Sequence, residues 1–404
     1  MTIVDRRRRT PLIALLAADG SSRVGNAVTV VAVPLLALQI AGTPWAVAAA
    51  GVAATMPIVI GGALGGALVD RVGFRRASIV ADAASGATVL AVPTLGATGL
   101  LPLWALLLLV FASNLLDAPG NAARRSQIPE LCALAGVSLA RAAAAQATVS
   151  RTASLIGASV AGLLVAVVGA DAALYATACS FAIALALTIT LVPRLELETG
   201  PDTDTADGFA GLIAGFRFIA RTPLVLAVVM MVLLTNAIDT AGFTVLKPLY
   251  AASTGDGSAL GLMIACSAGG ALIGAAMYGI IGDRLPRHPL YVALFVIAGV
   301  IPSIALAVAP PLPVLLVVLF TCGLAMGPLN PLIDSALFRL IPAAIRARVL
   351  SAISAGVAAG MPVGSFVAGA AVTAIGLQPT LAATAAVYIA VILATGFGKR
   401  WRDF

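Results

Sequence analysis

The stretch Gly66-Ala-Leu-Val-Asp70-Arg71-Val-Gly73-Phe74-Arg75 returns 213 positions later as Gly279-Ile-Ile-Gly-Asp283-Arg284-Leu-Pro-Arg287-His288. Each copy begins in an apolar run and ends on a basic turn. Other pairs keep nearly the same register: Ile128-Pro129 with Ile341-Pro342 at 213, and Pro34-Leu35 with Pro248-Leu249 at 214. Gly157, Gly162 and Gly169 answer to Gly364, Gly369 and Gly376, all at 207. Several matches near one register mark a duplication, with two halves running in the same order.

Outside these turns the chain is mostly apolar. Of 404 residues, 61% are hydrophobic and 10% charged, against about 25% charged in an average soluble domain. The apolar residues fall in blocks of about 20, the length an α-helix needs to cross roughly 30 Å of hydrocarbon. Backbone groups in the bilayer must bond internally, so the blocks are helices. The expected fold is all-α and membrane-integral, with twelve transmembrane helices in two pseudo-symmetric six-helix bundles. The spans fall near 12–40, 45–69, 77–97, 103–123, 142–168, 172–192, 223–250, 258–281, 289–309, 312–335, 350–375 and 379–397.

Positive charge sets the orientation. With the N-terminus cytoplasmic, 21 of the 24 Lys and Arg lie in inner segments and none in outer loops; Arg23, Arg151 and Lys247 lie within helices. The positive-inside rule puts both termini in the cytoplasm, which requires an even number of spans. Arg6 to Arg9 followed by an apolar run to about Leu38 suggests a secretory leader. The run is too long for one and carries Asp19 and Arg23, so it reads as the first span. Three segments follow: a bundle over 1–192, a cytoplasmic linker over 193–222, and a second bundle over 223–404. In the linker, Phe209, Leu212, Ile213, Phe216 and Ile219 sit at helical spacing beside Arg217 and Arg221. This predicts a short amphipathic helix on the inner membrane surface.

Several function classes drop out. The +7 charge is spread between apolar blocks, so no nucleic-acid face is expected. Cys132, Cys179, Cys266 and Cys322 form no C-x-x-C pair, and His288 is the only histidine, so no metal site is expected. Neither lysine fits a phosphate-binding loop, because Lys247 precedes Pro248 and Lys399 precedes Arg400. No cluster of nucleophile and acid–base groups suggests an enzyme, and no cofactor is expected. A sensor would carry a soluble output domain, and the longest polar stretch is 193–222.

The repeated turn has a physical rationale. Its glycine lets helices approach closely. Its aspartate suits the N-terminus of a neighbouring helix, and its arginines suit carboxylates across the turn. Such a contact holds one conformation closed and breaks in the other. The expected cytoplasmic gate is Gly66, Asp70, Arg71, Gly73, Arg75 and Asp117 in one half, and Gly279, Asp283, Arg284, Arg287 and Asp334 in the other.

At these residues the chain resembles the major facilitator superfamily, whose loop signature between the second and third spans appears as Gly66, Leu68, Asp70, Arg71, Gly73 and Arg75. Phe74 stands where the family has an arginine. The drug and siderophore exporter branch, with its macrolide-efflux and enterobactin-exporter proteins, is resembled at Ile128-Pro129-Glu130-Leu131 and at Gly215-Phe216-Arg217-Phe218 before Pro223-Leu224. Two departures stand out: the fifth-span glycine pattern is degenerate at Gly157 to Gly162, and the fourth-span arginine motif of many proton-coupled exporters is absent. The resemblance implies a monomeric secondary transporter in a bacterial cell membrane. It would move small amphiphilic molecules outward by alternating access, coupled to protons. An importer or a lipid or siderophore carrier shares the architecture.

The resemblance also implies that spans one, four, seven and ten line a cavity. Charges within a span cost about 2.5–3.5 kcal/mol at the helix centre, so those present call for a partner or a cavity. The candidates are Asp19, Arg23, Asn26, Asn114, Arg151, Asn236, Asp239 and Asn330. Asp19 and Arg23 share a helix face and can pair. Asp239 has no basic residue one turn away on its own helix and is the first expected proton carrier, with Asp19 second. Asp82 is expected to be structural, and Lys247 to snorkel outward.

Overall fold

The computed structural model describes the backbone of residues 3–194, 207–255, 258–281, 287–342 and 345–396. The helices are α1 (Ile3–Ala41), α2 (Pro44–Val72), α3 (Phe74–Ala97), α4 (Leu103–Ser126), α5 (Ile128–Ala135), α6 and α7 (139–168 and 170–191), and α8 (Asp207–Arg221). They continue with α9 (Pro223–Ser253), α10 (Ala259–Ile281), α11 (287–308), α12 (Leu312–Leu340), α13 (Arg346–Ile375) and α14 (Leu377–Gly396). Eleven stretches are long and apolar enough to span a bilayer. One of them runs from Thr148 to Leu191 and is broken at Gly169, so the described residues supply twelve spans.

The chain divides into two compact units. One is Met1–Leu197 with Asp256–Ala265; the other is Glu198–Gly255 with Cys266–Phe404. In the first unit, α1 runs along α6 and α7, while α2 and α3 each pack on α4. The short α5 is an element that hydropathy does not predict. Pro129 stands in its first turn, and Gly136 closes it with φ 64°. Its Ile128 and Leu131 are buried against Leu12 and Leu15 of α1. The Ile-Pro-Glu-Leu motif is therefore a packing element seated on α1 in the first unit.

The second unit centres on Val225, Val228 and Met231 of α9, Tyr291 and Phe295 of α11, Leu332 of α12, Val349 and Ile353 of α13, and Tyr388 of α14. The linker helix α8 packs on α13. It buries Ile219 and leaves Ile213 and Phe216 exposed beside exposed Arg217 and Arg221. One π-helical turn interrupts α9 at Gly242–Leu246 and another interrupts α11 at Val296–Val300.

The repeat recurs in the backbone. Gly169 breaks the fifth span from the sixth at φ 84°, ψ 169°, and Gly376 breaks the eleventh from the twelfth at φ 86°, ψ 168°. That region is essentially glycine-only. Gly169→Ala should therefore destabilise the protein by about 1–3 kcal/mol, read as a lower thermal midpoint of the purified protein. Gly157 meets Val24 and Ala27 of α1, and Gly364 meets Ala237 of α9, so the same register sets both helix contacts.

Candidate functional site

Asp19, Ser22, Arg23 and Asn26 recur every three or four residues and form one stripe on α1. Asp117, Asn121 and Arg124 do the same on α4. With Asp82 of α3, these residues form a buried polar cluster inside the first unit. Arg124 is its centre and is 1% exposed. Its Nη1 donates to both Asp82 oxygens at 2.7 and 2.9 Å, and its Nη2 donates to Ser22 Oγ at 3.1 Å. Nη2 also lies 3.5 Å from Asp117 Oδ1, and Nε lies 3.8 Å from Asp19 Oδ1.

The second cation, Arg23, donates from Nε to Asp19 Oδ2 at 3.0 Å. Asp117 accepts from Asn26 and Asn121, both at 2.8 Å, and from Ser22 at 3.3 Å. Among the described residues Asp19 Oδ1 and Arg124 Nε have no hydrogen-bond partner; they face each other as an ion pair beyond hydrogen-bond reach. Among the described residues three carboxylates share two guanidiniums, so this ionised set carries one uncompensated negative charge. Binding one proton neutralises it.

The cluster unites Asp19, Arg23, Asn26 and Asp117 from the sequence candidates. Arg124, Ser22 and Asn121 were not among them. Arg124 counts as an inner-loop arginine by sequence, and the 117–121–124 spacing on α4 was the signal that could have found it. Asp82, expected to be structural, is the two-oxygen partner of Arg124.

The other candidates lie elsewhere. The Asn114 and Asn236 amides donate to carbonyls one turn back on their own helices, Val110 O at 2.9 Å and Val232 O at 2.8 Å. Asn330 is exposed. Asp239 is also exposed and accepts a long bond, 3.5 Å, from the Tyr388 hydroxyl of α14. Lys247 is half-buried, with its Nζ 5.8 Å from the centroid of the Phe243 ring.

At the first repeated turn, Gly73 precedes α3 with φ 85°. Arg75 donates to Val192 O at 2.7 Å and to Ile189 O at 2.8 Å, so it caps the end of the sixth span. The conformation of Gly279 is helical, and a Cβ there would meet nothing within 4 Å. Asp283 and Arg284 lie outside the described residues, as do the side chains of Asp70, Arg71, Arg151, Arg287 and Asp334 and the surroundings of Gly66.

Twelve spans, an internal duplication and a buried charge cluster together define a membrane transport protein of the major facilitator fold. Solved structures agree. The nucleoside transporter NupG superposes with a TM-score of 0.73 at 15% identity, covering 96% of this chain and 98% of its own. A D-xylose–proton symporter gives 0.68 at 16% identity, with 97% of each chain covered. The chain belongs to the transmembrane secretion effector family of the major facilitator superfamily, whose family model matches residues 8–400. It is similar to the multidrug efflux pump Tap of Mycolicibacterium fortuitum, 29% identical over 93% of this chain and 92% of that one. Tap of Mycobacterium tuberculosis is 31% identical, over 93% and 90% respectively. The protein is thus a multi-pass transporter and not an enzyme.

Proposed function

We propose that this protein exports small amphiphilic molecules across a bacterial cell membrane by alternating access, driven by the proton gradient, with both termini cytoplasmic. The observation that carries the reading is the buried cluster on α1, α3 and α4, in which, among the described residues, three carboxylates share two guanidiniums. Such a cluster changes net charge by taking up one proton, which is what a gradient-driven carrier requires. The full-length likeness to pumps named for multidrug efflux supports the direction and the substrate class. In this reading the two repeated turns form the cytoplasmic gate.

The test is susceptibility to a panel of amphiphilic antibiotics and dyes in a host lacking its own pumps. Wild type should protect against several compounds, and Asp70→Asn with Asp283→Asn should not. Equal susceptibility for every compound would sink the export reading.

Coupling is read separately in everted membrane vesicles. Dissipating the proton gradient should abolish uptake by wild type. In this reading two carboxylates carry protons: Asp239 of α9, the first expected from the sequence, and Asp19 within the cluster. Asp239→Asn should cut gradient-driven uptake at least about tenfold, or about 1.4 kcal/mol in the driven step, and what remains should no longer respond to the gradient. Unchanged gradient dependence in that variant removes Asp239 from the role.

A further inference from the structure

Helix α1 has two contrasting faces. Asp19, Ser22, Arg23 and Asn26 lie on the face of the charge cluster. Ala17, Gly20, Ser21 and Val24 lie on a different face, where they form one wall of an open groove of about 400 Å³. Thr148, Thr152 and Ile156 of α6 belong to the opposite wall. The walls come together at Gly20, where a Cβ would meet Val149 at 3.2 Å.

Among the described residues none lining the groove is charged, and their polar side-chain groups are hydroxyls. The Ser21 hydroxyl is already committed, donating to Ser180 O at 2.8 Å. The volume falls in the range of small-molecule sites, about 300–1,000 Å³. A cation seated there would find no counter-charge among the described wall residues. A hydrocarbon ring or chain loses nothing there and gains contact. The span containing α1 starts at Arg9. At 1.5 Å per residue, Ala17 and Val24 lie about 12 and 22 Å along it. With the N-terminus cytoplasmic, that is the depth between the inner surface and the midplane.

We propose that this groove binds the uncharged hydrocarbon part, ring or chain, of an amphiphile arriving from the inner leaflet. The proposal rests on the export reading and deepens it by naming the moiety recognised and where it sits. It also gives α1 a coupling role, because one rigid helix carries the ligand wall on one face and the protonatable cluster on another.

The test uses the full-length protein in nanodiscs and N-phenyl-1-naphthylamine, an uncharged lipophilic fluorophore, with dodecanol as a chain-type competitor. Wild type should bind the fluorophore saturably. Ala17→Phe and Thr152→Phe, which fill the groove from either wall, should each weaken binding about tenfold or more. Leu163→Phe, on the exposed surface of α6, should stay within about twofold. Thr152→Leu, a smaller change, is read if a Phe variant does not elute as folded protein. Displacement by dodecanol marks a chain site and its absence a ring site, and both are hydrocarbon recognition. Non-saturable binding by wild type, or wild-type affinity in folded groove-filled variants, overturns the proposal. If wild type binds the fluorophore but exports no compound of the panel, the export reading fails and the groove stands.

Discussion

Arg124→Met should abolish transport and lower the yield of folded protein more than any other single change in the charge cluster. The guanidinium is 1% exposed and holds Asp82 by two oxygens, with Asp117 and Asp19 at 3.5 and 3.8 Å. Without it, three carboxylates face one another with Arg23 the one cation left among the described residues of the cluster. Breaking a buried ion pair by deleting one partner costs about 3–5 kcal/mol, a large share of a typical total stability of about 5–15 kcal/mol. Arg124→Lys keeps the charge but loses the planar fork that reaches Asp82 and Ser22 together, so a partial loss is expected. Asp82→Asn combined with Arg124→Met removes the stranded charge and should recover most of the folded yield. Thermal unfolding and size-exclusion elution of the purified variants check these statements. A melting temperature for Arg124→Met equal to wild type would show that the pair does not hold α3 to α4.

Neighbouring glycines on α10 should give opposite results. A Cβ on Gly270 would collide with Phe320 O of α12, and one on Gly274 with Leu324 O. From the other side, Gly323 faces Ser267 O and Gly327 faces Ala271 O. The two backbones touch along two glycine pairs spaced four apart. In lipid this is how helices associate, because apolar side chains gain little by leaving an apolar solvent. Gly270→Leu should force the helices apart, at a cost of at least the roughly 1–3 kcal/mol of overpacking, and leave little folded protein. A Cβ on Gly269 would meet nothing within 4 Å, so Gly269→Leu should fold like wild type. Detergent-extracted yield and elution profile distinguish the two. Equal yields from both variants would contradict the close contact.

Much of the architecture is legible without coordinates. Apolar blocks of spanning length give the helices, and the glycines at 169 and 376 mark the same break in both halves, because only glycine accepts that backbone conformation. The amphipathic spacing of the linker anticipates α8. The short α5 is not legible, because an eight-residue apolar helix seated on α1 leaves no hydropathy signal of its own. Of the candidate site, the α1 stripe can be read from its spacing. The role of Arg124 cannot, since an arginine near the end of a span reads in the sequence like any other loop-flanking positive charge.

The sequence by itself determined that this chain is a duplicated twelve-span membrane protein, because length, hydropathy and repeat register are one-dimensional properties. Only the tertiary structure decided that Arg124 turns inward onto Asp82, that Gly270 and not Gly269 meets α12, and that α1 divides charge from groove between its faces. The reason is the solvent. In water a polar face and an apolar face report which side of a helix is buried. In a bilayer both sides of most spans are apolar, so hydropathy gives the span and is silent about the neighbour.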